Sequence, residues 1–272
     1  MPTTIEETKT RQRKIIPGVA IHHNKTVIMT KMLVGLPMLL LVIGLSAQSQ
    51  KYDSVAIIIL DRMADVIGDL ESCSFKVSIA NDVAQPASGL IKYFSECEVY
   101  MSGPDKMLVN VRGHRGHRQL MYNGKQLAYF SFDENNYGIV PAPNTTLNMI
   151  DSINSYYDIE FPAADFFYPA FTDDLLQASD SLDFVGIERM GSKEYFHIIS
   201  YSKTMDMQFW INNDAYNLPA RFSITYKNKP GIPQYLAMFS DWQLNPTLPA
   251  AMFDFIPPPD AKWVRMMSKS DK

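Results

Sequence analysis

Between Ser88 and Val140 apolar side chains recur at every second position, and turn formers break the run at short intervals: Gly103-Pro104-Asp105, Gly113 to Gly116, Asn123-Gly124 and Glu134-Asn135-Asn136. A period of two puts one face of each segment in a core and the other in water, which predicts four or five consecutive antiparallel strands. Around Ile91 to Met101 the odd positions Ile91, Tyr93, Cys97, Val99 and Met101 form the more apolar face, and Lys92, Glu96 and Glu98 fall on the other. At Asn123-Gly124 a two-residue type I′ turn is expected, because both residues tolerate positive φ. Such a turn sets Tyr122 opposite Lys125 and Leu120 opposite Leu127.

The period changes on either side of this meander. From Asp53 to Leu70 the residues Val55, Ile58, Ile59, Met63, Val66, Ile67 and Leu70 recur at three- and four-residue spacing, which predicts an amphipathic helix capped by Asp53 or Ser54. Cys73, Phe75, Val77 and Ile79 then alternate with Ser74, Lys76 and Ser78 as a first strand. After Pro143 the pattern turns helical over 145–157, 161–168 and 172–178, with Pro169 between the last two. Strands return from Leu182 to Trp242. One more short strand is expected near Phe253 and Phe255 before the run Pro257-Pro258-Pro259, and residues 266–272 are expected to fray. Helix, strands, helical insertion, strands is an α+β order without regular crossover helices. It predicts one strongly curved antiparallel sheet of about ten or eleven strands with helices against its concave face.

The first 47 residues stand apart. Met32 to Ala47 is an apolar run preceded by Lys31 and followed by Gln48-Ser49-Gln50, the layout of a secretory signal peptide cleaved after Ala47. It falls short of the roughly 20 residues a spanning helix needs, and Gly35, Pro37 and Gly44 interrupt it. The long charged lead before it is accounted for if translation starts at Met29. The expected organisation is an N-terminal extension and signal over 1–47, one periplasmic domain over 48–265 and a short tail, with no transmembrane span once the signal is removed.

Charge narrows the function classes. Six of the 25 Lys and Arg and two of the 29 Asp and Glu precede Gln48, which leaves the remainder at a net charge of −8. So acidic a domain is a poor partner for nucleic acid, whose binding rests on neutralising phosphates.

The segments VNVRGHRGHRQLMYNGKQL, FWINNDAYNLPARFSITYKNKPGIPQYLAMFSDWQLN and FDFIPPPDAKWV resemble domain-of-unknown-function family 2092, a family of periplasmic bacterial proteins. The resemblance runs from about Asp53 to Trp263. That family is similar in fold to the lipoprotein localisation factors (LolA and LolB) of the bacterial envelope, so the resemblance implies a half-barrel sheet with a helical lid over a cavity for acyl chains. The turn 114–117, His-Arg-Gly-His, departs from the family pattern, in which acidic residues stand at the two His positions.

The chemistry-bearing residues are few. Cys73 and Cys97 are the only cysteines, each on the apolar parity of its strand. If the intervening turn centres near Ala84 to Pro86 they lie opposite one another, either as a disulfide, which needs Cα atoms about 4.4–6.8 Å apart, or as two buried thiols. His114 and His117 sit in a glycine-broken turn without neighbouring carboxylates and suit a solvated loop better than a metal site. His197, alone on a strand, suits a packed or hydrogen-bonded residue better than a base. No GxSxG elbow, phosphate loop or HExxH occurs, so no catalytic residue, cofactor or metal is assigned and a non-enzymatic role is expected. Arg112, Arg115 and Arg118 cluster around the turn and are candidates for binding an anion.

Large apolar side chains are the commoner signal, with 16 Met and 15 Phe. Phe75, Tyr93, Val109, Phe209, Phe222 and Met238 each lie on the more apolar side of a strand and are the candidates for a hydrophobic ligand face. Two functions fit: a periplasmic carrier for a lipid, an acyl chain or a lipid-modified polypeptide, or a structural envelope module with a self-filled core that meets a protein partner.

Overall fold

The computed structural model describes residues 51–85 and 89–271. The expected signal segment, the Met29 start and the cleavage point after Ala47 lie outside the described residues. Helix α1 (Ser54–Gly68) starts where the side chain of Asp53 accepts a hydrogen bond from the Val55 amide, and it buries Ala56, Ile59, Leu60, Met63 and Ile67. The meander follows as β1 (Ser72–Gln85), β2 (Gly89–Ser102), β3 (Lys106–Gly113), β4 (Gly116–Tyr122), β5 (Gln126–Ser131) and β6 (Asn136–Pro141). The insertion comprises α2 (Thr146–Tyr157), capped by Thr145, a 3-10 turn over Ala164–Phe167, and α3 (Phe171–Ala178). Strands β7 (Ser181–Met190), β8 (Lys193–Tyr201), β9 (Met205–Asn212), β10 (Pro219–Tyr226) and β11 (Gln234–Leu244) complete the second half, and a two-residue β12 (Lys262–Trp263) ends it.

Among the described residues twelve strands form one open sheet in the order β12-β6-β5-β4-β3-β2-β1-β11-β10-β9-β8-β7, one or two more than the pattern predicts. The chain closes its two halves by pairing β1 with β11, so the long β1 and β2 stand at the middle. Every pair is antiparallel except β6 with β12. The result is the expected curved half-barrel, with the three helices on its concave side. One apolar cluster joins Ile59, Leu60 and Met63 of α1, Met149 and Ile153 of α2 and Leu175 of α3 to the inner faces of both sheet halves.

Three local expectations are corrected by register. Asn123-Gly124 does not make a two-residue turn: Tyr122 pairs with Leu127 and Leu120 with Tyr129. Of the two turn residues only Gly124 has positive φ, because the Asn123 side chain accepts bonds from the amides of Lys125 and Gln126 and donates to Asp254, which holds its backbone out of the left-handed region. The strand expected near Phe253 is instead a 3-10 turn over Ala250–Phe253, and β12 follows the prolines rather than preceding them. The tail is held as far as Lys269, whose Nζ lies 2.8 Å from Asp158 Oδ1 and donates to the Asn154 carbonyl.

The segment after β11 also explains why β3, β4 and β5 are apolar on both parities. It crosses the convex side and lays Phe253 against Leu108, Met121 and Ala128, a second, smaller core behind the sheet. Among the described residues no helix is long and apolar enough to cross a membrane.

Candidate functional site: the concave face of the half-barrel

Residues opposite one another in an antiparallel ladder point to the same side, so the register assigns every side chain a face. Phe75 pairs with Val99 and Val99 with Val109, and Val109 pairs with Leu120, which makes a continuous apolar row on the concave side. In the other half Ile198, Phe209, Phe222 and Ala237 form the equivalent row. Phe75, Val109, Phe209 and Phe222 are all buried there. Tyr93 shares this face nearer the end where the hairpins β1–β2 and β3–β4 turn, and its ring stacks on His114 at 4.0 Å.

Met238 does not belong to this face. It pairs with Ser78 and Arg221, is 40% exposed, and lines an open groove of about 600 Å³ on the outer side with Tyr195 and Tyr216. The inward residues of β11 are Tyr235, Ala237 and Phe239, followed after a register shift by Trp242. The sequence misleads here because apolar residues occupy both parities of β11 and the inward set contains a small alanine.

The helical insertion supplies the centre of the concave face. Phe166, from the 3-10 turn, meets Phe171, Phe209, Phe222 and Phe239 at ring distances of 5.1 to 6.4 Å. Phe167 stacks on Phe75, which in turn stacks on Trp242 at 4.3 Å. Neither the 3-10 turn nor α3 has a side-chain cap at its start, and Ala163 enters the turn with a left-handed φ of 60°. Sequence periodicity finds the insertion but does not single out Phe166, since nothing local distinguishes it from Phe161, Phe167 or Phe171.

Toward the hairpin end the concave face turns polar. Asn81 pairs with Tyr235, and Tyr226 lies one row further out. Burial pushes the Tyr226 hydroxyl up to about 12, helped by Glu160 and Asp165, and raises Tyr235 further. Asp165 itself is held well above the usual carboxylate range, first by burial and then by Glu160.

The cysteines share the concave face but not a rung. The β1–β2 register is offset by four residues from the expected one, so Cys73 pairs with Met101 and Cys97 with Val77. Four residues of offset separate them by roughly 13 Å along the strands, beyond disulfide reach. Both are free and buried, and burial raises each thiol to about 12, an effect that Arg118 partly opposes at Cys97.

The three arginines divide. Arg112 pairs with His117 on the outer side, and its Nε lies 3.4 Å from His117 Nε2. Arg118 pairs with Val111 and Ser131 on the concave side, and Arg115 occupies the turn. Neither histidine of that turn faces a carboxylate cluster; His117 stacks on Phe132 at 3.9 Å. Among the described residues no group of three or more His, Cys, Asp or Glu is placed to hold a metal. His197 is buried on the outer side, stacked on Trp210, with Nδ1 2.7 Å from Glu188 Oε1 and Nε2 3.0 Å from Gln208 Oε1. This is a polar clamp across β7, β8 and β9.

A single curved sheet with an apolar concave face and helices laid over it defines the class: an open α+β half-barrel. The chain belongs to the family described as "Predicted periplasmic protein (DUF2092)", whose profile matches residues 56–267. Among solved structures it is similar to an uncharacterised conserved protein from Thermus thermophilus, with 16% identity, TM-score 0.44 and coverage of 78% of this chain and 99% of that one. It is also similar to LprF from Mycobacterium bovis (10% identity, TM-score 0.42, coverage 72% and 97%). A LolA superfamily protein from Nitrosomonas europaea is a third (12% identity, TM-score 0.37, coverage 74% and 97%). Among curated proteins none matches this sequence.

Proposed function

We propose that this protein is a non-enzymatic periplasmic carrier that holds a lipid, an acyl chain or a lipid-modified polypeptide in the concavity of its half-barrel. The observation that carries this reading is the placement of Phe166. A large ring on a short, uncapped turn rests in the middle of an apolar sheet face, where the contacts it makes to Phe209, Phe222 and Phe239 are of the kind an acyl chain can replace. Segments with few capping interactions open at the lowest cost in free energy. The buried cluster around it includes Met63, Met107, Met149, Met205 and Met207, whose unbranched side chains repack easily around a flexible guest. Each CH₂ taken from water contributes about 0.8 kcal/mol, so affinity should rise with chain length.

The test is direct. The protein, recovered from the periplasmic fraction of its host and processed near Ala47, should release acyl species on organic extraction, and saturated fatty acids added back should raise its Tm more at sixteen carbons than at eight. Intact precursor in the cytosol would sink the compartment; clean protein with no fatty-acid shift would sink the carrier. A second reading, an envelope module that binds a protein, is favoured by one feature. Strand β7 is an edge of the sheet and exposes Val185 and Ile187, a surface suited to pairing with an added strand. Clean protein that captures a partner through β7 would select it.

A further inference from the structure

On the concave face Arg118 has no carboxylate paired with it among the described residues. Val77, Cys97, Val111, Arg118, Ser131 and Asn136 form one row across β1 to β6, all pointing to the concave side. The flanking row toward the floor is Val99, Val109, Leu120 and Tyr129, so the Arg118 guanidinium stands at the edge of the apolar floor. Arg118 Nε is buried without a hydrogen-bond partner, and among the described residues no carboxylate pairs with this side chain. Two strands away Asn136 Oδ1 is likewise buried and unpartnered, while its Nδ2 donates to Glu134 Oε2 at 2.6 Å, which fixes the orientation of the amide. Between them Ser131 accepts from the Glu134 amide and keeps its own hydroxyl proton to donate.

Leaving a buried donor and a buried acceptor unpaired costs free energy that a chain folding for stability alone has no reason to spend. An arginine at the edge of an apolar face is suited to recognise a carboxylate or phosphate through paired N–H donors. Resting on the carrier reading above, we propose that Arg118, with the Ser131 hydroxyl, is the head-group subsite of an anionic amphiphile whose acyl chain lies along the concave face toward Phe166. The site is separate from the outer side of the same hairpin, because Arg112 points away from it. The depression of the His114 pKa, by burial and then by Arg115 and Arg118, agrees with an uncompensated positive region at this end.

Two sources supply this chemistry, a free fatty acid and a phospholipid, and paired neutral analogues separate them. Binding of palmitate against methyl palmitate, and of phosphatidic acid against diacylglycerol, is measured by isothermal titration on the purified full domain. The unmodified protein should prefer the anionic member of at least one pair by tenfold or more, and the pair showing the preference names the source. Arg118→Gln should abolish that preference while leaving affinity for the neutral member within about twofold, and Arg118→Lys should retain part of it, since the charge remains and the fork is lost. Arg112→Gln on the outer side should keep the full preference. Equal binding of anionic and neutral members to the unmodified protein would overturn the subsite and leave the carrier standing, without recourse to any variant. An undiminished preference in Arg118→Gln would do the same. Failure of all four ligands to bind would overturn both.

Discussion

At the scale of single residues, Asp165 is a side chain whose environment opposes its ionisation. Burial raises its carboxyl well above the ordinary value of 3.8, so the folded chain keeps a proton there that the unfolded chain has already released. The stability tied to that proton is fully present below the unfolded value and is lost as pH rises through the folded one. Asp165→Asn keeps the side-chain oxygen and removes the titration. Denaturant unfolding should therefore show the variant more stable than the parent at pH 8, with the gain shrinking as pH falls toward 4. A variant less stable at both pH values would show that the carboxylate is paired in the fold rather than penalised by it.

Residue-level signals were legible where they depended on near neighbours alone. Asp53 as the cap of α1 follows from a short acceptor before an apolar period, and His197 as a packed histidine follows from its place inside an alternating strand. Arg118 was named with Arg112 and Arg115 as a basic cluster, but its separation from Arg112 by the thickness of the sheet depends on strand parity continuing unbroken through the turn at Gly113 to Gly116.

At the scale of elements, the segment after β11 works as a strap. Phe253 is 1% exposed although it comes from a short 3-10 turn, because it covers the outward side chains of β3, β4 and β5. Phe253→Ala should cost about 3–5 kcal/mol in urea unfolding, the usual penalty for an emptied aromatic site in a core. A loss under about 1 kcal/mol would mean that the strap rests on the sheet without being part of its core. The signal for it was present in the sequence as a failure of alternation: Met107-Leu108-Val109 and Leu120-Met121-Tyr122 are apolar on successive positions, which marks a strand covered on both faces. Its physical source, a segment more than a hundred residues away, left no local trace.

At the scale of the molecule, the two sheet halves and the insertion share one apolar core, in which Phe166 joins the insertion to β9, β10 and β11. Phe166→Ala should lower the stability of the free protein by roughly 3–5 kcal/mol. If the ring occupies the path of an acyl chain, palmitate should return part of that loss, so its Tm shift should be larger in the variant than in the parent. Equal shifts in the two proteins would place the bound chain elsewhere and remove Phe166 from the carrier mechanism.

Period and punctuation alone determined the order of elements, the antiparallel character of both halves, the helical insertion and the inward parity of Phe75, Val109, Phe209 and Phe222, because each depends on residues within a turn or two of one another. Tertiary structure decided what depends on register. The register of β1 with β2 separated Cys73 from Cys97, and the pairing of β11 with β1 and β10 sent Met238 outward. The pairings of β4 with β3 and β5 put Arg118 beside the row Val109, Leu120 and Tyr129, and the insertion puts Phe166 over Phe209, Phe222 and Phe239. Side-chain direction alternates with each residue along a strand, so a shift of one position reverses a face and a shift of two moves a partner by one rung. Only the long-range hydrogen-bonded ladder fixes that count.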